Sequence, residues 1–306
     1  MYYPYLRGRQ NELLALRELA SQGLLSNRII PIIEPVKMTS TLVSTLSLFN
    51  SQHRGLVFID NPKVGSFSSD VRNKKNAKSR DSFEAVINNG SITKGWIVDG
   101  AAAESIESSM RNGMDAASIT CLCLKADNIR FLEKIGYQGY KSVVPYAPAF
   151  RRIRGDKILL EDTFNKKARN VDYCDDEDEF FSRNHLDYEA VGFIGFSDYS
   201  IIGEGYSESG FAPHAVAVHV VYFNQDKELR VHHFVSEDND DIHDSAGKLY
   251  QALEKLVQWN HKQRIDTLGI RKLEEIYHTQ SYPGLGYIKK VSIMHHLELM
   301  SRFLDE

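Results

Sequence analysis

Short runs of β-branched and aliphatic residues alternate with longer amphipathic stretches through the first 145 residues, and this rhythm restricts the fold more than any other feature of the chain. Parallel strands cannot be joined by tight turns. The chain must return to the starting edge before each new strand, and a helix makes that return with its own backbone satisfied. Six runs read as buried strands: Tyr2 to Leu6, Ile29 to Ile33, Leu56 to Asp60, Gly95 to Asp99, Ala117 to Leu124 and Tyr140 to Val144. Between the first two, Leu13, Leu14, Leu16 and Leu19 fall at helical spacing while Arg17 and Glu18 keep the other side polar, which predicts a crossover helix over Asn11 to Leu19. Thr41 to Phe49, Arg80 to Ile87, Ala103 to Asn112 and Asn128 to Ile135 read the same way, the last two stopped by Gly113 and Gly136.

After Val144 the rhythm breaks. Residues 145–156 barely suffice for a helical crossover before the next run, Lys157 to Glu161, so an inserted strand or hairpin is expected there. A helix is expected at Asp176 to Arg183 and a strand at Ala190 to Phe196. Val216 to Phe223 and Leu229 to Val235 flank a polar turn and read as a hairpin. Two C-terminal helices follow, striped by Leu249, Leu253, Leu256 and Val257, then by Ile288, Val291, Met294, Leu297 and Met300. The expected architecture is a TIM-like (β/α) barrel of about eight parallel strands, elaborated by the hairpin at 216–235 and closed by the C-terminal helices. Residues 1–240 would form the barrel-like domain and 241–306 helices packed on it. A doubly wound open sheet has the same alternation, and strand order separates the two.

Composition narrows the class. The chain has 306 residues, 42% hydrophobic and 25% charged, enough for a large core, and its net charge of −4 argues against nucleic-acid binding driven by overall charge. No apolar run approaches the roughly 18 residues of a membrane span. The start, MYYPYLRGRQ, lacks the pattern of a secretory leader, so a cytoplasmic protein is expected. Cys121, Cys123 and Cys174 fit neither a disulfide framework nor a four-ligand zinc site.

Four strand candidates finish near a carboxylate: Glu34 after IIPII, Asp60 after LVFI, Asp99 after GWIV and Asp198 shortly after GFIGF. In a parallel barrel these ends converge on one rim, where barrel enzymes build their sites. Such a ring could hold a hard divalent cation such as Mg²⁺ or divide acid and base roles, which makes the four candidate catalytic residues. Each could equally cap the helix or turn that follows. Two loops concentrate positive charge: Arg72, Lys74, Lys75, Lys78 and Arg80, and Arg151, Arg152, Arg154 and Lys157. With Arg7, Arg9 and Lys37 after the first two strands they are candidate phosphate ligands, although a solvated charged loop has the same composition.

Histidine is frequent but forms no HExxH or similar metal box. His219 and one of His232 or His233 are expected to face inward on the hairpin. P-loop, dinucleotide-binding and GxSxG motifs are lacking. The GEGYSESG of Gly203 to Gly210 reads as a flexible loop, and Glu237 to Asp241 lacks the pattern of an EF-hand. The acidic run Asp172 to Glu179 could mimic or repel nucleic acid, or dock a basic partner.

The opening YYPYLRGRQNELLALREL, the IIPIIEP ending at Pro35, the FIDNP of Phe58 to Pro62 and the FSDYSIIGEG of Phe196 to Gly205 resemble the bacterial and phage-associated beta protein family over about the first two thirds of the chain. That resemblance implies a barrel of alternating strands and helices and a setting in phage defence, in some cases beside a small companion protein. It implies no catalytic set. Two functional readings result. One is a recognition or assembly component of an anti-phage defence system whose barrel rim binds a phosphate-bearing ligand, a nucleotide, nucleic acid or a partner protein. The other is a metal-dependent phosphodiester or nucleotide hydrolase using the strand-end acids.

Overall fold

The computed structural model describes residues 1–73, 77–88, 92–208, 213–237 and 239–306. Lys74 and Lys75 of the first basic loop, the Ser209–Gly210 end of the glycine loop and Asp238 lie outside the described residues. The chain divides into two compact units, one of Met1–Leu13, Asn27–Asp162 and Asn184–Tyr199, the other of Leu14–Ser26, Thr163–Arg183 and Ser200–Glu306.

The first unit is a barrel. Its strands are β1 (Tyr5–Leu6), β2 (Ile32–Ile33), β3 (Leu56–Ile59), β4 (Ile92–Ile97), β5 (Ile119–Leu122), β6 (Lys141–Val144), β7 (Lys157–Leu160) and, after β8 (Asp178–Ser182) of the other unit, β9 (Gly195–Ser197). All eight pair in parallel in chain order, β1 through β7 and then β9. The ring closes where Tyr3 N donates to Phe196 O at 2.8 Å and Tyr5 N to Asp198 O at 2.8 Å. Strand order never reverses, which excludes the doubly wound alternative. Inside, Tyr3, Tyr5, Ile32, Ile59, Leu122 and Tyr199 belong to one continuous core. That interior is filled to the point that a Cβ on Gly95 would lie 2.8 Å from both Ile59 Cδ1 and Val57 Cγ1.

Between the strands run α1 (Gln10–Ser21), α2 (Ser40–Ser51), α3 (Phe67–Arg72), α4 (Ala77–Ile87), α5 (Gly100–Arg111) and α6 (Ile129–Ile135). Caps fix their starts: Thr39 accepts from Leu42 N at 3.1 Å and Asp99 from Ala102 N at 2.8 Å. Gly136 ends α6 at φ +70°.

Three expectations need correction here. No strand or hairpin is inserted after Val144, because β7 is itself a barrel strand in register with β6, Val143 opposite Ile158, reached through a 3₁₀ turn at Pro148–Arg152. The strand expected from Ala190 starts only at Gly195, the residues before it following the single turn α7 (Asn184–Asp187). Asp176 to Arg183 is not a helix. It contains β8, which pairs with β11 and sets Asp178 against Arg230 on β11 and Tyr222 on β10.

In the second unit β10 (Ala217–Phe223) and β11 (Leu229–Val235) form the expected hairpin, and β8 joins it to give the antiparallel order β10-β11-β8. Three helices complete the unit: α8 (Ser245–Gln263), α9 (Leu268–Thr279) and α10 (Leu285–Asp305). Val218, Val220 and Phe234 share a core with Leu253, Leu273 and Val291. Lys290 and Lys272 meet Glu18 at 2.5 and 3.1 Å, tying the 14–26 segment to these helices. Among the described residues no helix is long and apolar enough to cross a membrane.

Candidate functional site: barrel mouth and outer cleft

At the carboxyl end of β2 the Glu34 side chain is fully buried. It accepts hydrogen bonds from Tyr5 Oη at 2.7 Å, from the backbone N–H of Lys63 at 2.7 Å and from the Arg7 guanidinium. Arg7 in turn lies 5.0 Å from the ring centre of Tyr5 and 5.4 Å from that of Tyr199. The turn that brings Arg7 there needs Gly8, whose φ is +61° and whose missing Cβ would sit 3.2 Å from Pro35 Cα. Burial, reinforced by the Glu34 charge, raises the Tyr5 hydroxyl pKa well above its ordinary value, so Tyr5 remains a donor. Arg7, a candidate phosphate ligand from the sequence, is thus paired with Glu34 in a packed network that fills the mouth.

Of the other strand-end acids, Asp99 shares Lys63 with Glu34, and Asp198 has partners of its own. Asp198 is buried and accepts from Tyr2 Oη at 2.7 Å. Asp99 caps α5 and meets Lys63 Nζ at 2.7 Å; burial pushes its carboxyl up, but Lys63 and the Ala102 N–H outweigh burial and hold it below the usual range. Asp60 is exposed. Among the described residues no three His, Cys, Asp or Glu side chains are grouped so as to hold a metal ion. The acids lie at one end of the barrel without converging on one point, and a divalent cation does not fit them.

Sequence reasoning missed Glu12. At the third position of α1 its carboxylate reaches back to the backbone N–H groups of Arg9 and Arg7, a helix-capping arrangement, and full burial raises its pKa to about 7 against the opposing pull of Arg9 and Arg7. The signal was present as an acid in the first turn of a predicted helix, but its depth was not.

The basic residues divide. Arg9 is half-buried and Lys37 is exposed. Arg80 lies 3.8 Å from both Asp81 and Glu84. Arg154 is exposed, and Arg152 meets Glu133 at 3.2 Å. Arg151 instead lines a cleft of about 590 Å³ together with Tyr146, Phe150, Lys157, Val191 and Phe193. The cleft follows from the connections around it. Barrel strands bury their outer faces under crossover helices, yet β6 and β7 are joined through a 3₁₀ turn and β9 is preceded by a single helical turn. Apolar surface is left uncovered: Tyr146 is 54% and Val191 41% exposed. Tyr146 meets Phe193 edge-on at 6.2 Å, and the Lys157 ammonium stands 5.6 Å from the Phe193 ring centre. Lys157 opens β7 and Phe193 precedes β9, so this cleft reaches the amino ends of those strands, whereas Arg7 and Glu34 occupy carboxyl ends. The expected single crown of cations at the rim is thus split.

In the second unit the inward-facing histidines are His219 and His233, cross-strand partners whose Nδ1 atoms are 2.7 Å apart. One proton is shared between them, since burial lowers His219 well below its ordinary pKa and His233 to about 4. His295 bridges Thr267 Oγ1 at 2.8 Å and the Val221 carbonyl at 2.6 Å, and burial lowers it to about 4. These rings act as neutral hydrogen-bonding members of the core.

Comparison of the chain with protein-family models, with curated proteins and with solved structures finds no match.

Proposed function

We propose that this chain is a recognition protein that binds a phosphate-bearing ligand in the cleft on the outer wall of its barrel. The observation that carries the reading is that Arg151, in the 3₁₀ turn after β6, and Lys157, which opens β7, line one concave site with aromatic side chains. A guanidinium engages two phosphate oxygens at once, and the ammonium adds a second charge on an apolar floor that weakens solvent screening. The cleft volume falls in the range of sites for small organic ligands. The hydrolase reading has less support. Glu34, Asp99 and Asp198 already accept hydrogen bonds from tyrosine, lysine, arginine or backbone donors, so their lone pairs are committed to the fold.

Pyrophosphate, a sugar phosphate, a mononucleotide and a short oligonucleotide, titrated at low and high salt against the wild type and an Arg151→Ala/Lys157→Ala variant, test the proposal. At least one should bind at low salt, weaken as salt rises, and lose tenfold or more in affinity in the variant. Absence of binding at low salt, or equal binding by both proteins, would overturn it. The resemblance to the beta protein family adds the proposal that this recognition serves phage defence with a small companion protein; an Arg151→Ala/Lys157→Ala strain that keeps full phage resistance would separate the cleft from that role.

A further inference from the structure

Resting on the phosphate-binding reading of the cleft, we infer that the ligand is a mononucleotide whose base stacks on Tyr146 while Arg151 holds its phosphate. The lining is mixed, and its two halves ask for different chemistry. Phe193 has little free face, since Lys157 stands over its ring at 5.6 Å and Tyr146 meets it edge-on, the two ring planes 63° apart. That contact props Tyr146, which lines the cleft and is more than half exposed as a residue. A flat, exposed aromatic face accepts another flat π-system, and every nucleobase presents one. An acyl chain gains little there, because its binding needs apolar walls on all sides.

The anion end is set by Arg151. It is exposed and sits in the 3₁₀ turn Pro148–Arg152 that begins two residues after Tyr146, so base site and phosphate site lie on one short connector, five residues apart in the chain. Its neighbour Arg152 is engaged by Glu133 at 3.2 Å. Lys157, held over Phe193, supplies a second positive charge in the same cleft. The volume favours a monomer over a polymer. About 590 Å³ accommodates one small ligand, and a nucleic-acid strand would need a continuous basic groove beyond it.

The experiment compares AMP with ribose 5-phosphate, which share sugar and phosphate and differ in the base, on wild type, Tyr146→Ala and Tyr146→Phe. Tyr146 is exposed, so its replacement leaves the core intact. Base stacking predicts that AMP binds roughly five- to a hundredfold more tightly than ribose 5-phosphate. The advantage should vanish in Tyr146→Ala and persist in Tyr146→Phe, while ribose 5-phosphate binds all three alike. If AMP and ribose 5-phosphate bind equally well to the wild type, or Tyr146→Ala weakens both by the same factor, the inference fails and the phosphate reading stands. If a short oligonucleotide binds and AMP does not, the monomer assignment is wrong. If neither phosphate compound nor any oligonucleotide binds at low salt, the phosphate reading itself fails.

Discussion

Replacing Arg7 with alanine should destabilise the barrel severely, because it strands a buried charge. Glu34 is 0% exposed and Arg7 only 12%, so the pair is largely removed from water. Its carboxylate keeps the Tyr5 hydroxyl and the Lys63 N–H, each at 2.7 Å, but those neutral donors do not cancel a full negative charge. Breaking one partner of such a pair costs about 3–5 kcal/mol, a large share of the 5–15 kcal/mol that holds a typical domain together. Glu34→Gln should cost less, about 1–3 kcal/mol, since it strands no charge: the amide oxygen can still accept from the Lys63 N–H, the amide NH2 takes the position that faced Tyr5, whose hydroxyl must turn to accept from it, and Arg7 can turn to solvent. In Arg7→Ala/Glu34→Gln the stranded charge is absent, so the two costs should fall short of additivity by about 0.5–3 kcal/mol. Urea unfolding of the four proteins, analysed by linear extrapolation, measures all of these terms. A cost for Arg7→Ala below about 1 kcal/mol, or strict additivity in the double variant, would refute the argument and return Arg7 to the pool of candidate ligand-binding residues.

Three further outcomes follow from the packing. His233 and His295, with folded pKa values of about 4 against an ordinary 6.5, bind protons more readily unfolded, so each withdraws about 3 kcal/mol of stability as pH falls from 6.5 to 4. Glu12 has the opposite sign: its folded pKa of about 7 lies above the ordinary 4.5, so its contribution is complete below pH 4.5 and lost as pH rises through 7. Unfolding curves of wild type and Glu12→Gln across pH 4 to 8 should therefore diverge above pH 4.5, the variant gaining about 3 kcal/mol relative to wild type by neutral pH; parallel curves would remove Glu12 from the account. At the barrel seam a Cβ on Gly195 would lie 2.6 Å from Tyr3 Cε2 and 2.9 Å from the Met1 carbonyl, so Gly195→Ala should cost about 1–3 kcal/mol in thermal or urea unfolding, and an unchanged curve would mean the closure is looser than drawn.

The barrel was readable from sequence because its strands and crossover helices carry different hydrophobic periods, 2 or continuous against 3.6, over segments long enough to show them. Leu56–Ile59 and Lys141–Val144 match their predicted runs almost to the residue, since both are buried on each side. At β1 and β2 the continuous ladder is two residues each, Tyr5–Leu6 and Ile32–Ile33, with a separate bridge at Tyr2–Ile29, because Pro4 and Pro31 offer no backbone N–H between them. β8 was hidden for a different reason. Its DEFFS has no alternation to announce a strand, and what holds it is Asp178 accepting from the Tyr222 hydroxyl at 2.5 Å, a partner 44 residues away. Periodicity reports only what a segment does by itself.

The mouth and the cleft were legible to different depths. Strand direction alone put Glu34, Asp60, Asp99 and Asp198 near one end of the barrel, but a carboxylate at a strand end is free for chemistry only if nothing else occupies its lone pairs. For Glu34 the occupants are a tyrosine two residues before Arg7 and a backbone N–H after β3, and their arrival depends on how neighbouring strands are staggered. The cleft left a plainer trace. In a closed parallel barrel each strand's outer face requires cover, and cover comes from the connector that returns the chain; residues 145–156 carry a single 3₁₀ turn where the five crossovers before it carry helices of about two turns or more. A connector that is too short therefore marks bare wall. Here the same connector also holds Tyr146 and three arginines, residues that tolerate water at one end and an apolar surface at the other. Shortness of the crossover and the amphipathic character of its residues are independent features of the sequence, and their coincidence at one strand is what draws the search for a ligand away from the mouth and onto the wall.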